Sequence, residues 1–308
     1  MTTPMSPPSE APPLSVVIAT TQPWPEVQIA LDSVYAEACA LGAELLVIDG
    51  SETGALPAGQ APYDAVTWVR LPGETVFQTR ARGIRMARGR VVAVTEDHCA
   101  VAPDWCAAHL RAHADFPAAA AVGGSLENGA ERLVDWASFL VTSSAFLTPL
   151  PPSSAGDVCG PANVSYKGWA AVCFPEDSLI EGRFRRELLA GGHALISDDR
   201  IRVTHVQRLG NFEACIYHFH DGRTVLAARR HWSSPARLAL EAVKAVCLPA
   251  RVLVACARVT ARTLRRRPDL AGSVVRSVPW MIAVMTFHAA GEFVGLVAGK
   301  SKSTIHMR

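Results

Sequence analysis

The stretch VVAVTEDHCAVAPDWC, residues 91–106, places Glu96, Asp97 and His98 side by side. A run of Val and Ala precedes them and predicts a buried strand that ends at these three side chains. Ligands of open α/β sheets bind at the carboxyl ends of the strands. Two carboxylates and an imidazole at that edge suit Mg²⁺ or Mn²⁺ bound together with substrate phosphates. The alternative is a solvated turn in which Asp97 caps the next helix.

Asp49, in LLVIDGS, also ends a predicted buried strand. Its carboxylate can accept hydrogen bonds from a base or a ribose there, or it can serve the turn made by Gly50 and Ser51. The sequence contains no G-x-G-x-x-G, no G-x-x-x-x-G-K-[ST] and no G-x-S-x-G. These absences argue against a dinucleotide dehydrogenase, a P-loop enzyme and an α/β-hydrolase.

Alternating strands and helices must position these side chains. Short runs rich in Val and Ile predict strands at 14–20, 43–49, 66–72, 91–97 and 118–126. Apolar spacing of three and four predicts helices at 26–41, 77–88, 103–114, 132–140 and 177–190. Residues 194–206 read as a strand pair or an extended stretch. This alternation is typical of an α/β fold with mostly parallel strands.

The charges are balanced over the chain and uneven along it. The 308 residues include 30 Lys or Arg and 28 Asp or Glu, so the net charge of +2 gives no support for nucleic-acid binding. Residues 223–267, however, carry eleven Lys or Arg and a single acid, Glu241. Within them Lys244, Arg251 and Arg258 recur every seven residues among apolar side chains. That pattern predicts a helix lying on an anionic membrane surface.

The last helical stretch, residues 278–298, is more apolar. Its longest charge-free window, residues 277–291, has only 15 residues, fewer than the about 20 that span a bilayer. We therefore expect the C-terminal third to lie on or dip into the membrane. The alternative is a helical annex that packs its apolar side on the rest of the protein.

The N-terminal residues 1–13 contain five prolines and no Lys or Arg. They predict a flexible leader and not a signal peptide. The eight cysteines form no C-x-x-C pair and are predicted to be reduced. Both observations place the protein at the cytoplasmic face of the membrane.

Several segments in order resemble the family-2 glycosyltransferases, which have the GT-A fold. The segments are LSVVIAT (14–20), VIDGS (47–51), RARGIRMARGR (80–90) and APDW (102–105). Together they cover roughly residues 14–206. The metal motif of the family is D-x-D. Here Glu96 takes the first acid position and His98 the second, with Asp97 between them, so which two contact the metal stays open.

The resemblance implies a nucleotide-sugar donor of the UDP or GDP type, held with Mg²⁺ or Mn²⁺. Asp49 would contact the nucleoside, with Ala19 and Thr20 lining the same pocket. Arg80 and Arg82 would face the donor, although an exposed basic face is the alternative for both. Asp97 would belong to the donor side as well as to the metal cluster.

The resemblance also implies a catalytic base at the start of the late helix. Glu181 is the first candidate, with Arg185 one turn further along the helix, and Asp177 is the competitor. The family commonly has Glu-Asp at this place. Asn163, in CGPANVSYKG, would lie on the acceptor side, with a plain polar turn as the alternative. His205 would lie near the metal or the diphosphate, with a structural role as the alternative.

The sequence therefore predicts a flexible leader (1–13), a GT-A catalytic domain with a mixed, Rossmann-like sheet (14–208) and a basic, apolar helical region at the membrane (209–308). The expected reaction is inverting, metal-dependent transfer of a sugar to a glycan of the cell envelope or a lipid-linked acceptor. The alternatives are a membrane-bound scaffold that keeps the fold without catalysis, and a nucleotidyltransferase.

Overall fold

The structure, a computed structural model, describes residues 11–54, 62–150, 160, 162–230, 234, 248–299 and 303. The strands over these residues are β1 (Leu14–Thr20), β2 (Glu44–Asp49), β3 (Val66–Arg70), β4 (Val91–Glu96), β5 (Cys99–Val101), β6 (Ala119–Asn128), β7 (Val164–Lys167) and β8 (Ala194–His205). The α-helices are α1 (Gln28–Ala40), α2 (Val76–Met86), α3 (Trp105–Asp115), α4 (Leu133–Ser143), α5 (Gly168–Val172), α6 (Glu181–Ala190), α7 (Asn211–Arg230), α8 (Leu248–Arg266) and α9 (Ala271–Ala298).

These strands form one sheet in the order β3-β2-β1-β4-β7-β6-β8-β5. The first four strands in this order, β3, β2, β1 and β4, are parallel to one another. β7 is antiparallel to both β4 and β6, and β5 is antiparallel to β8. The Rossmann-like half thus continues into a mixed half, which confirms the predicted fold class.

The central strands align their carboxyl ends at one edge. Every residue of β1 is buried, as is β4 up to Thr95, because helices cover both faces of the sheet. Strands in that position read as continuous apolar runs without alternation. Thr20 pairs with Asp49, and Ala19 pairs with Glu96. The sheet register therefore brings the two acidic strand ends together.

The structure adds β5, β7 and α5, which the sequence pattern did not indicate. β5 has three residues and β7 has four, too few for any periodicity to show. The strand state of β5 follows from its pairing with β8. The late helix begins at Glu181, after a 3₁₀ turn at Ser178–Ile180, and not at Asp177 as expected.

Glycines let the backbones of the C-terminal helices α7 and α9 approach each other closely. A Cβ on Gly222 would lie 2.0 Å from the carbonyl oxygen of His288, and one on Gly291 would lie 1.9 Å from that of Phe219. Such small residues let helix backbones approach, as they do in membrane helices. Gly222 therefore sets His288 directly against α7.

The basic end of α8 binds the body of the protein. Arg262 Nη2 donates to Ser144 Oγ at 2.7 Å, and Arg267 Nη1 donates to Glu127 Oε1 at 2.8 Å. Arg266 donates to backbone carbonyls of the segment after α4. These arginines anchor the helix and are not directed to a membrane, which corrects part of the expectation for this region.

The predicted basic face is only partly present among the described residues. Arg251 pairs with Glu292 at 3.0 Å, and Arg258 is exposed. Lys244 lies outside the described residues. Pro249 lies in the first turn of the described helix α8, where a missing N–H is tolerated.

The C-terminal helix is longer than its charge-free window indicated. Pro268–Ala298 spans 31 residues with a mean hydropathy of 1.6 in its most apolar part, and 28% of that part is buried in the fold. By length and composition this helix can cross a membrane. The 15-residue charge-free window therefore understates the length of this apolar helix.

Two buried histidines of α3 share one hydroxyl beneath the sheet. His109 Nδ1 lies 2.8 Å and His113 Nε2 lies 2.9 Å from Ser165 Oγ. Burial, and then the neighbouring His113, lowers the pKa of His109 to about 3. Burial, and then Lys167, lowers the pKa of His113 to about 4. Both imidazoles are therefore neutral in the folded protein.

We predict that the free energy of unfolding falls as the pH drops below about 6.5. Below that value the unfolded chain binds protons at His109 and His113 that the folded protein excludes. Each histidine should contribute a slope of about 1.4 kcal/mol per pH unit, while above pH 7 the contribution is fully present. Urea unfolding of the wild type and of a His109→Gln/His113→Gln variant between pH 7 and pH 5 measures this. Equal slopes in the two proteins would contradict it.

Candidate active site

Strand pairing brings two histidines, far apart in the chain, to the end of β4. β5 follows His98 and pairs with β8 so that Cys99 lies opposite His205. His98 Nε2 and His205 Nε2 are 3.0 Å apart, with the two rings nearly perpendicular. Glu96 Oε2 lies 3.4 Å from His98 Nε2 and 3.9 Å from His205 Nε2. One oxygen and two nitrogens thus converge on one point.

Asp97 supports this group from behind and does not point into it. Its Oδ1 lies 2.7 Å from His98 Nδ1, and its Oδ2 accepts a hydrogen bond from Thr20 Oγ1 at 2.6 Å. The side chain is buried. Asp97 thus fixes the ring of His98 and leaves its Nε2 directed toward Glu96 and His205. Of the adjacent triplet, only Glu96 and His98 are placed as metal ligands.

The protonation of the cluster follows from burial and from the charges beside it. Burial alone would lower the pKa of His98, but the hydrogen bond and charge of Asp97 raise it overall. Burial alone would raise the pKa of Asp97, but the hydrogen bond and charge of His98 lower it overall. Burial, and then His98, lowers the pKa of His205 well below its usual range. His205 is therefore a neutral imidazole at neutral pH.

The cluster fits a divalent cation. One carboxylate oxygen, two imidazole nitrogens and the Cys99 thiol lie within 4.8 Å of one another, and the oxygen and nitrogen donors suit Mn²⁺ and related metals. A ligating histidine usually gives its second nitrogen to a carboxylate, and His98 has this arrangement with Asp97. His205 joins Glu96 and His98 as the third candidate ligand.

The expected nucleoside side of the site is buried and already hydrogen-bonded. Asp49 Oδ1 accepts from Ser51 N at 2.8 Å and from Ser51 Oγ at 2.5 Å. Its Oδ2 lies 3.5 Å from Arg70 Nε. Ala19 and Thr20 are adjacent in the sheet and buried. The predicted residues are thus brought together, with Ser51 and Arg70 as neighbours that the sequence did not indicate.

The two arginines expected at the donor have different positions. Arg80 is 3% exposed and donates from Nη2 to Glu96 Oε1 at 2.9 Å. Its Nη1 also reaches Ser178 Oγ at 3.4 Å. Arg82, two residues later on α2, faces solvent, because residues two apart on a helix do not share a face. Arg80 alone stands beside the metal cluster.

Asn163 is placed as a structural residue and not at an acceptor. Its side chain is fully buried, donates to the carbonyls of Ser125 and Ile201 at 2.9 and 3.1 Å, and accepts from Trp105 Nε1 at 2.9 Å. These bonds tie β6, β8 and α3 together. The expectation of an acceptor-side role is therefore corrected, because no polar atom of the amide is left to face a ligand.

Glu181 is buried away from the cluster. Its Oε1 accepts from Tyr166 OH at 2.5 Å and lies 3.4 Å from Arg185 Nη2. The predicted pairing of Glu181 with Arg185 is present, but it is internal and not a surface pair. A carboxylate that is 5% exposed and held by these partners is badly placed to receive a proton from an acceptor.

Asp177 directly precedes Ser178, which contacts Arg80 beside the cluster. The Asp177 side chain is half-buried, and its Oδ1 accepts from Leu179 N at 2.9 Å. Glu176 precedes it, so the sequence does contain an adjacent Glu-Asp pair here. The pair lies just before the 3₁₀ turn Ser178–Ile180, which leads into the late helix.

A cavity of about 960 Å³ opens in front of the cluster. Arg80, Glu96, His98 and His205 line one end of it. Its wall is mainly apolar, with side chains from α4, α8 and α9 that include Val141, Val252, Val254, Ala255, Met285 and Ala289. The cavity also carries a second polar group that the sequence did not indicate, namely Tyr217, Asp221, Arg251, His288 and Glu292. In the sequence these polar residues interrupt otherwise apolar helical stretches, and that interruption is the signal that could have indicated them.

Comparison with known proteins agrees with this architecture. One similar solved structure is the mannosyltransferase PcManGT from Pyrobaculum calidifontis in complex with GDP-Man and Mn²⁺, at 19% sequence identity and a TM-score of 0.57. The match covers 93% of this chain and 88% of that chain, and at this identity it shows the shared fold. No curated protein matches the chain.

The sequence of the catalytic half carries the family similarity. Residues 15–163 match the family described as Glycosyl transferase family 2. This range contains β1, β2 and β4 with Asp49, Glu96 and His98 at their ends. Residues 15–163 therefore show the similarity to glycosyltransferase family 2 that the motifs indicated.

Proposed function

We propose that the protein is an inverting, metal-dependent glycosyltransferase that uses a nucleotide-sugar donor. The observation that carries the proposal is the convergence of Glu96, His98 and His205 beside Arg80 at the end of a large cavity. The catalytic domain would comprise residues 14–208. The scaffold alternative rested on His98 in the place of an acid, and the convergent nitrogens of His98 and His205 weaken that argument.

A GDP-sugar is the preferred donor in this proposal. The support is the fold shared with PcManGT, whose structure holds GDP-Man and Mn²⁺. Asp49 would accept hydrogen bonds from the nucleoside once Ser51 gives way. Arg80 would contact the diphosphate, because its guanidinium is buried and already aligned with the metal cluster. By the same analogy, mannose is the sugar that we propose for the donor.

In this mechanism the residues of the chain stabilise the negative charge of the leaving group and accept a proton from the acceptor. A divalent cation bound by Glu96, His98 and His205 would stabilise the negative charge of the leaving diphosphate. Arg80 adds a fixed positive charge in a buried place, where it is worth more than in water. A carboxylate would take the proton of the acceptor hydroxyl as its oxygen attacks the anomeric carbon from the opposite face. A single displacement of this kind inverts that carbon.

Asp177 is the better candidate for the base. It is half-buried and follows Glu176 in a Glu-Asp pair just before the 3₁₀ turn that leads into the late helix. Its neighbour Ser178 contacts Arg80, which lines the cavity. Glu181 is engaged by Tyr166 and Arg185 in the interior. We therefore assign the proton transfer to Asp177 and a structural role to Glu181.

The acceptor in this proposal is amphipathic, such as a lipid-linked sugar. The cavity is polar at the end with the metal cluster and apolar along α8 and α9. Leu253, Val275, Phe293 and Val297 of these helices do not line the cavity and are exposed. An exposed apolar surface of this extent marks a protein or membrane contact. We propose that residues 209–308 bind the cytoplasmic face of a membrane, where an envelope-glycan precursor would be met.

The metal proposal predicts that GDP raises the melting temperature of the protein only when Mn²⁺ is present. The His98→Ala/His205→Ala variant should lose this Mn²⁺-dependent part, because two of the three ligands are gone. Asp97→Ala should weaken Mn²⁺ binding by about 10- to 100-fold, the usual effect of an outer-shell residue. Arg82→Ala is the matched control and should behave as the wild type. An undiminished Mn²⁺ effect in the double histidine variant would contradict the proposal.

The base proposal predicts different outcomes for two carboxylates of the same segment. Asp177→Asn should lower turnover by about 100-fold or more, the usual contribution of a general base, while GDP affinity is kept. Glu181→Gln should leave turnover within a few-fold. It should instead reduce the free energy of unfolding by about 1–3 kcal/mol, because a buried charged hydrogen bond is weakened. Steady-state kinetics and urea unfolding test both, and the reverse pattern would return the role to Glu181.

The membrane proposal predicts that the full chain sediments with anionic liposomes at low salt. Replacing Leu253, Val275 and Phe293 with Ser should abolish sedimentation, because each loses apolar contact with the lipid. The control is Val172→Ser, which changes an exposed valine on α5, outside these helices. A protein that is monodisperse without detergent and ignores liposomes would contradict the proposal.

A further inference from the structure

A second group of metal-type ligands lies on the helical wall of the cavity. It consists of His218 and Asp221 on α7 and His288 on α9, and one ligating atom from each lies within 4.8 Å of the others. Asp221 and His288 line the cavity. The group belongs to the C-terminal helices and shares no residue with the cluster at Glu96.

His218 supplies the observation that points to a ligand. Its side chain is fully buried, and its Nδ1 has no hydrogen-bond partner among the described residues. Its Nε2 lies 2.8 Å from Ser138 Oγ. If Nε2–H donates to that hydroxyl, Nδ1 keeps its lone pair. A buried polar atom without a partner costs about 1–3 kcal/mol, and a bound cation would remove that cost.

The other two residues complete a ligand set. Asp221 follows His218 by three residues, so the two side chains share one face of α7. His288 Nδ1 lies 3.2 Å from Asp221 Oδ2, and His288 Nε2 lies 3.8 Å from Glu292 Oε1. Glu292 is in turn held by Arg251. Each histidine thus has an oxygen beside its second nitrogen, the arrangement usual for ligating histidines.

The backbone holds these ligands in place. Gly222, the residue after Asp221, lies against the carbonyl of His288 so closely that a Cβ would come within 2.0 Å. The approach of α7 to α9 at this level sets Asp221 opposite His288. The ligands are therefore on two rigid helices and not on loops.

We propose that His218, Asp221 and His288 form a second divalent metal site, with Zn²⁺ as the best-fitting ion. Two imidazoles and one carboxylate leave one of four tetrahedral positions open, as in catalytic zinc sites. Because Asp221 and His288 line the cavity, that position would take an oxygen atom of the acceptor. The metal site itself does not depend on the proposed transfer reaction, whereas its use in holding the acceptor rests on it.

The test titrates the purified, metal-stripped full chain with Co²⁺, a Zn²⁺ substitute with visible absorption. The background is the His98→Ala/His205→Ala variant, which removes the first cluster. This protein should bind one equivalent of Co²⁺, and Zn²⁺ should displace it. Adding Asp221→Asn and His288→Gln should abolish the absorption. His220→Gln changes a neighbouring histidine of α7 and should leave the titration unchanged.

Ser138→Ala provides a milder variant that keeps all three ligands. It should weaken Co²⁺ binding by about 10- to 100-fold through the loss of the hydrogen bond to His218, with circular dichroism unchanged. No Co²⁺ bound in the first background, or equal binding after the Asp221 and His288 changes, overturns the proposal. A positive titration in this background, together with a wild type that fails to bind GDP in the presence of Mn²⁺, would refute the transfer reaction and leave the metal site standing.

Discussion

The antiparallel pairing of β5 with β8 is the constraint on which the active site depends. β5 has three residues, yet it places Cys99 opposite His205 and so joins His98 to a histidine 107 residues later. β8 in turn pairs with β6 on its other side. The position of His205 is therefore set by the sheet as a whole, and the donor atoms converge without any local motif.

Charge burial at this edge is made tolerable by pairing the two carboxylates. Asp97 is held by Thr20 and His98, and Glu96 is held by Arg80. An unpaired charge in such a place would cost several kcal/mol. The same pairing orients His98 and brings a guanidinium next to the site where phosphate is expected. The same ion pairs and hydrogen bonds therefore stabilise the fold and preorganise the site.

The C-terminal helices close the site and give its cavity an apolar wall. Arg262, Arg266 and Arg267 attach α8 to the body of the protein, and glycines bring α7 and α9 into contact. Their inner faces add an apolar wall to the cavity, interrupted by His288 and Glu292. Their outer faces expose further apolar side chains. The catalytic edge and the membrane-type surface are therefore parts of one packed unit.

The sequence by itself determined the family resemblance, the fold class and the central strands. β1 spans the predicted residues, and Asp49 and Glu96 end strands as expected, because buried parallel strands leave a local signal in consecutive apolar residues. The nearby acidic cluster was visible for the same reason. Local patterns also placed α1 and α2 within a few residues of their observed ends.

Only the tertiary structure decided which polar residues meet. It put His205 beside His98, turned Asp97 inward, and buried Asn163 and Glu181 among structural partners. It also showed that some arginines which the sequence had assigned to a membrane surface bind the protein itself. Each outcome depends on contacts between residues dozens of positions apart. Such contacts are set by strand order and helix packing, which spacing along the chain does not record.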